Sequence, residues 1–369
     1  MNIDRSQWKW LILSIVFSIV VLALVLYFTI DENTVNYLNS LKPEYLVAAI
    51  LMHLASMCAW ALRMKFMARS LGYKVPFLHC LNAVFANLLI AAVTPSQVGG
   101  EPVRIHELYR AEVPLGDATA IVIMERVLDG ILLGIIGGIA IIAMWLGSEE
   151  LGLSITIPLF LMWVLITAFV VAFAYSIKNP AFLKNIVKKI SGLFTKRWQA
   201  DKIEEFAGKI DSEVDNFNHA MTNYVSHSKT GLVWGTLFTV FYWFSEFFIA
   251  SLILMGLGEA PHIGESFVAQ IIIAIIMMIP LTPGSSGIAE ISATSLYSVF
   301  VPSSIVGVFV VLWRLILYYM NIFLGIFGSI VIVKREIVRQ KISKIKADIK
   351  EDIRQKKSNV EEKIMPKKE

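Results

Sequence analysis

Thr94-Pro95-Ser96-Gln97-Val98-Gly99-Gly100-Glu101 follows an apolar run, Phe77 to Val93, that has the composition of a membrane helix. The octet holds helix breakers and a carboxylate, and no apolar stretch. Irregular polar backbone at membrane depth is tolerated only where it is buried in protein or lines a wet cavity. The octet is therefore a candidate site. Its reading decides whether Phe77–Val93 crosses the bilayer or turns back within it.

The composition supports a membrane setting. The 369-residue chain is 56% apolar with aromatics and cysteine counted, against about 45–50% in an average soluble chain. Its mean hydropathy is +0.67. Full-length apolar segments occur at Leu11–Ile30, Tyr45–Leu62, Ala118–Leu146, Ile155–Ile177, Leu232–Leu257 and Ile305–Val333. Each exceeds or approaches the roughly 20 residues a helix needs to cross the hydrocarbon. Leu11–Ile30 is longer than the apolar core of a signal peptide, and no small-residue cleavage site follows, so it reads as a retained span. Cys58 and Cys80 both fall in apolar segments and imply neither a disulfide framework nor a metal site.

Two segments are shorter. Phe77–Val93 and Ser266–Leu281 each run into a Thr-Pro pair, and the return segments Pro102–Val113 and Ile288–Val301 are too short or too charged to face lipid as spans. The lysine and arginine bias of short flanks sets the orientation. Arg5 and Lys9 precede the first span, Arg63, Lys65, Arg69 and Lys74 follow the second, and Lys178, Lys184, Lys188 and Lys189 follow the fourth. Asp31 and Glu32, Glu149 and Glu150, and Glu259 and Glu265 mark the opposite side. This alternation holds only if Phe77–Val113 enters and leaves on the cytoplasmic side. The expected fold is an all-α polytopic protein with six full spans and two re-entrant hairpins, in the cell membrane with both termini cytoplasmic.

Within this division residues 1–333 form the membrane domain. Residues 178–230 form a cytoplasmic loop with an amphipathic stretch through Ile203, Phe206, Ile210, Val214, Phe217 and Met221. Residues 334–369 form a tail with 13 Lys/Arg against 7 Asp/Glu. A basic juxtamembrane tail is drawn to anionic lipid heads. The positive-inside bias already explains the charge, so nucleic acid is not expected as a partner.

A shift of 188 residues superposes the unusual positions. Thr94, Pro95 and Gly99 fall on Thr282, Pro283 and Gly287, Tyr109 on Tyr297, Pro114 on Pro302, and Arg126 on Arg314. Asn82 meets Gln270 and Ala86 meets Ala274. The shared pattern Thr-Pro-x3-Gly-x26-Arg predicts a duplication, with units 45–146 and 232–333. By the charge rule the first hairpin enters from the cytoplasm and the second from outside, so the units are antiparallel. Inverted repeats with paired broken helices are a transporter architecture, and the interruptions point to the binding site.

The residue types there suit an anion. Gly99, Gly100, Gly284 and Gly287 let backbone approach a ligand, and the turns offer free N–H groups at the starts of short helices. Ser285 and Ser286 lie in the second turn. Arg126 and Arg314 lie inside spans, where an unpaired charge costs at least about 2.5–3.5 kcal/mol. Arginine forks onto phosphate or carboxylate, so each is a candidate phosphate contact. The competing reading pairs them with Glu101, Glu125, Asp129 or Glu290, and both can hold if the pair opens for substrate. Arg104, His106 and Arg110 add charge at the cytoplasmic side, for ligand contact or as plain positive-inside residues. Glu246, mid-span with no obvious partner, and Asp129 are candidates for proton coupling, against a hydrogen-bonded structural role. Gly130, Gly134 and Gly138 read as a close-packing face. No P-loop, Gly-x-Ser-x-Gly or Cys-x-x-Cys occurs, and His106-Glu107 has no second histidine at helical spacing. Glu101, His106 and Asp129 come nearest to a catalytic or metal set. No catalytic residue, metal or cofactor is expected.

Three motifs carry a family resemblance: Pro95-x3-Gly99-Gly100-Glu101-Pro102-x-Arg104, Glu125-Arg126-x-x-Asp129, and Pro283-Gly284-Ser285-Ser286-Gly287-x-x-Glu290. Their order resembles the membrane part of the lysylphosphatidylglycerol synthases, also described as the flippase-like UPF0104 family. That resemblance implies translocation of modified phospholipids, and for stand-alone members of polyprenyl-linked sugars. Family synthases carry a soluble aminoacyltransferase domain after the membrane part, whereas only a charged tail follows Val333, so synthase activity is not expected. The expected partners are membrane lipids, either anionic phospholipid or polyprenyl phosphate. Homo-oligomers and lipid- or glycan-modifying enzymes remain open as further partners. Transport of a water-soluble anion and a scaffolding role are the alternatives.

Overall fold

The computed structural model describes residues 5–29, 32–94, 99–146, 228–277, 282 and 284–364, with scattered positions between 160 and 226. The expectations for Pro95 and Pro283, for much of the fourth span and for Ile203 through Phe217 lie outside the described residues. Among the described residues all regular structure is helical. The helices are α1 (Arg5–Thr29), α2 (Glu32–Asn39), α3 (Pro43–Ser70), α4 (Phe77–Val93), α5 (Glu101–Arg110) and α6 (Leu115–Leu146). After the partly described region come α7 (Lys229–Gly256), α8 (Ile263–Met277), α9 (Ile288–Tyr297) and α10 (Ser303–Arg314). A π-helical turn, Leu315–Tyr319, then leads into α11 (Met320–Ile364).

Proline sets several of the starts. Its fixed φ and missing N–H suit the first turn of a helix, where that donor has no partner in any case. Pro43 opens α3, Pro102 stands in the first turn of α5, and Pro76 and Pro302 cap α4 and α10. Tyr73, in the α3–α4 connection, donates to Asp117 in the first turn of α6 at 2.5 Å, and that bond pushes its hydroxyl up to about 12. The connection is thereby tied to the helix that follows the first hairpin.

Among the described residues three helices are long and apolar enough to cross a membrane: Pro43–Ser70, Lys229–Gly256 and Ser303–Ile342. Helices α4 and α8, with 17 and 15 residues, fall short of the roughly 20 needed. Helix α4 coincides with the apolar run before Thr94, and α3 carries on past the expected end of its span to Ser70. The two stretches share a plan. α3 and α7 each have 28 residues, α5 and α9 each have 10, and α6 and α10 begin 188 residues apart at Leu115 and Ser303.

The packing knits the two stretches together. α3 and α7 pair extensively, α4 lies against α11, and α1 packs on α9 and α10. One apolar core surrounds Met64, Val84 and Ile121, and a second surrounds Ile253, Tyr297 and Phe309. A small cluster of Leu89, Ala92, Tyr318 and Ile322 joins α4 to the π turn and α11. On α6, Ile131, Ile135, Ile139 and Ile142 are exposed at helical spacing, which is the face expected against lipid. The adjacent glycine face receives Trp163, whose indole donates to the Gly134 carbonyl at 2.8 Å and lies against Gly138. The close-packing reading of those glycines holds at Gly138.

Candidate functional site

The two turns meet. Thr94 closes α4, where its hydroxyl donates to the Ile90 carbonyl at 3.0 Å and accepts the Gly99 N–H at 3.0 Å. In the second turn the Thr282 hydroxyl donates to the Ser286 carbonyl at 2.8 Å, and Ser285 donates to the terminal Met277 carbonyl of α8 at 3.0 Å. Gly284, Ser285 and Gly287 take φ of 58°, 54° and 83°, the left-handed region that an L side chain enters at a cost. The Gly284 N–H donates to the Thr94 carbonyl at 3.1 Å, so the tips of the two interruptions are joined backbone to backbone. A Cβ at Gly284 would lie 2.7 Å from the Ala92 carbonyl, which makes glycine a requirement of that contact. Gly100 is packed equally closely by the Asn87 amide.

Beyond each turn, an arginine pairs with a carboxylate in the first turn of the short helix, where the helix dipole favours negative charge. Arg126 on α6 reaches Glu101 Oε1 on α5 through Nε at 2.8 Å and Nη2 at 2.5 Å. Arg314 on α10 forms an ion pair with Glu290 on α9, Nε to Oε1 2.8 Å, in a geometry that makes no hydrogen bond from Nε. Glu290 also accepts the Gly287 N–H at 2.6 Å and the Ser18 hydroxyl at 2.5 Å, while Arg314 Nη2 stands 3.4 Å from Ser286 Oγ and its guanidinium 4.0 Å from the Tyr318 ring. The pairs differ in exposure. The Arg126 side chain is 39% exposed, whereas Arg314 is 2% exposed and Glu290 is sealed. Of the two arginines expected to meet a ligand, Arg126 is open to one and Arg314 is closed behind its own carboxylate.

Arg126 is one member of a larger network. Buried Arg63 on α3 donates through Nη1 to Asp129 at 2.7 Å and to Thr239 at 2.9 Å, and through Nε to Glu125 at 3.2 Å. Buried Arg104 on α5 bonds Asn87 at 3.0 Å and is in close contact with Glu125. Trp243 on α7 donates to Asp129 at 3.0 Å. Three guanidiniums therefore face three carboxylates, which is how charges survive burial when leaving one unpaired costs several kcal/mol. The Trp60 ring lies 5.9, 5.0 and 6.0 Å from the Arg63, Arg104 and Arg126 guanidinium carbons. Trp60 Nε1, Glu101 Oε2 and Arg104 Nη2 are buried without a hydrogen-bond partner among the described residues. Glu101 pairs with Arg126, Arg104 Nη2 stands 3.9 Å from Glu101 Oε1, and the Trp60 ring lies 6.0 Å from the Arg126 guanidinium carbon, so all three residues adjoin this arginine.

Several residues change role from the sequence reading. Arg63, read there as a positive flank, is an internal ion-pair residue because α3 continues past it. Arg104 is likewise internal. Asn87 and Trp60 have no sequence signal that separates them from other polar or aromatic residues in apolar helices. Glu246, expected to lack a partner, bonds His53 Nδ1 at 2.8 Å and contacts the Ser56 hydroxyl. His53 Nε2 in turn lies 2.8 Å from Asn321 Oδ1. A further ionic cluster ties the start of α11's extension to the first hairpin. Arg335 contacts buried Glu107 and stands 2.9 Å from His79 Nδ1, Arg110 contacts Glu336, and Arg339 donates to the Arg110 carbonyl at 3.0 Å.

The chain matches known proteins over almost the whole of this architecture. The family model described as lysylphosphatidylglycerol synthase TM region matches residues 11–325. A UPF0104 membrane protein of Archaeoglobus fulgidus is 35% identical over 316 residues, 85% of this chain and 94% of the relative. Another, from Methanocaldococcus jannaschii, is 26% identical over 341 residues, 90% of this chain and 97% of the relative. The glycosyltransferase AglD of Haloferax volcanii is 22% identical over 312 residues, 79% of this chain and 49% of the relative. The matched range takes in both Thr-Pro turns, both arginine–carboxylate pairs and the Arg63 network, and the chain is a membrane protein of the lysylphosphatidylglycerol synthase TM-region family.

Proposed function

We propose that the protein moves a phospholipid or lipid-linked phosphate headgroup across the bilayer. One observation carries the reading: the half-exposed Arg126–Glu101 pair stands beside two interrupted helices joined tip to tip. A phosphate displaces Glu101 from Arg126 and gains a bidentate contact, while the acyl or prenyl chains stay in lipid. The sealed Arg63 and Arg104 pairs fix the frame around it. Rocking of two antiparallel units about the joined turns alternates the side to which the headgroup is open. The family name, that of a synthase whose product is a modified phospholipid, supports a lipid rather than a soluble cargo.

The test compares three probes in proteoliposomes: fluorescent phosphatidylglycerol, a fluorescent polyprenyl phosphate and a soluble phosphate ester. Movement of a lipid probe supports the reading. Movement of the soluble ester alone replaces it with an anion transporter, and movement of none overturns it.

A second reading draws on the Haloferax volcanii relative, of which the chain matches about half. In it the chain is the membrane scaffold of separate lipid- or glycan-modifying enzymes. Co-purification of such an enzyme, with no lipid movement in its absence, favours that role.

A further inference from the structure

Deep in the membrane region, His53 on α3, Glu246 on α7 and Asn321 on α11 form a chain of hydrogen bonds that crosses between the two units. His53 is fully buried, and the Glu246 side chain is 13% exposed. The proton positions follow from the amide. Asn321 Nδ2 donates to the Leu317 carbonyl at 2.6 Å, inside the π turn, so its Oδ1 faces His53 and must accept. His53 Nε2 therefore carries a hydrogen. The second ring nitrogen, Nδ1, shares one proton with Glu246 Oε1, either as imidazolium and carboxylate or as imidazole and carboxylic acid. Both arrangements are neutral. Loss of that one proton leaves a net charge of −1 in an apolar setting, so the bond Nδ1···Oε1 is the place where one proton is bound or released.

We propose that His53 and Glu246 form a single-proton binding site at the junction of the two units. The link of this site to transport rests on the proposed function, whereas the site itself rests on the geometry of the pair. The charged and titratable groups on the neighbouring elements include Cys58 and Arg63 on α3, Tyr242 on α7, Glu125, Arg126 and Asp129 on α6, Arg314 on α10, and Tyr318 and Tyr319 in the π turn. Tyr242 lies one turn before Glu246 on α7. Its ring packs edge-on against Trp60 at 5.4 Å. Glu246 is thus one helical turn from a side chain that packs on Trp60, the ring beside the three arginines. The π turn supplies Leu317, and such turns recur at functional sites because they free a backbone carbonyl.

The test is infrared difference spectroscopy of the full-length protein in phosphatidylcholine vesicles, between about pH 5 and 9, the range in which histidine titrates. Wild type is expected to show a pH-dependent carboxyl band, either an acid C=O band that vanishes or a carboxylate stretch that shifts as the proton leaves, and Glu246→Gln is expected to remove it. In His53→Gln, whose amide still bonds Glu246 and Asn321, the band is expected to persist with its midpoint displaced by about one pH unit or more. Melting and helix content check that both variants fold. A wild-type spectrum with no such band, a band surviving in Glu246→Gln, or an unmoved midpoint in His53→Gln overturns the site. Should the band behave as expected in a protein that moves no lipid, the proton site stands and the translocase reading falls.

Discussion

Arg63 and Arg126 belong to one network and should respond differently to truncation. Arg63 is 1% exposed and bonds two carboxylates and a threonine, so Arg63→Ala takes from buried Asp129 its shortest ion pair and from buried Glu125 one of its two arginines. We expect a loss of about 3–5 kcal/mol, read as a sharp fall in melting temperature in detergent micelles. Arg126, at 39% exposure, is the least enclosed of the three arginines, so Arg126→Ala should cost less than Arg63→Ala. Arg314→Ala should resemble Arg63→Ala, because Glu290 is sealed behind it. Arg126 and Arg314 were legible in the sequence because their common spacing from Thr-Pro marked them. Arg63 was not. Beside Lys65 and Arg69 it has the look of a positive flank, and only its tertiary partners on α6 and α7 show that it points inward.

Among the elements, the interrupted helices were readable and their junction was not. The 17 residues of α4 and the turn after it follow from composition and helix breakers. The bond from Gly284 to Thr94 joins residues far apart in the chain and leaves no local trace. Gly284→Ala should weaken it, since alanine at φ 58° is strained and its Cβ would crowd the Ala92 carbonyl. A loss of about 1–3 kcal/mol is expected. Gly264→Ala in α8, where an added Cβ meets nothing within 4 Å, is the control and should melt with wild type. The tail offers a second case. Its charge suggested an independent segment, yet α11 runs unbroken from Met320 to Ile364 and Arg335 clamps buried Glu107 of α5. Arg335→Ala should raise amide exchange across Glu101–Arg110 relative to α3, measured by hydrogen–deuterium exchange.

At the scale of the whole molecule, alternating access requires two units of opposite orientation. Single cysteines at Lys74 and Glu259, with Cys58 and Cys80 replaced, should react with an impermeant thiol reagent from opposite sides of the membrane. Labelling from one side would make the units parallel and remove the basis for alternating access. With that orientation, the joined turns form one gate and Arg126 is its accessible cation. The most direct measurement is the rate at which fluorescent phosphatidylglycerol crosses proteoliposome membranes containing wild type or Arg126→Ala, both shown to be folded. Movement is expected in wild type and its loss in Arg126→Ala, at a melting temperature closer to wild type than that of Arg63→Ala. Equal rates in the two would contradict the assignment of Arg126 as the accessible cation.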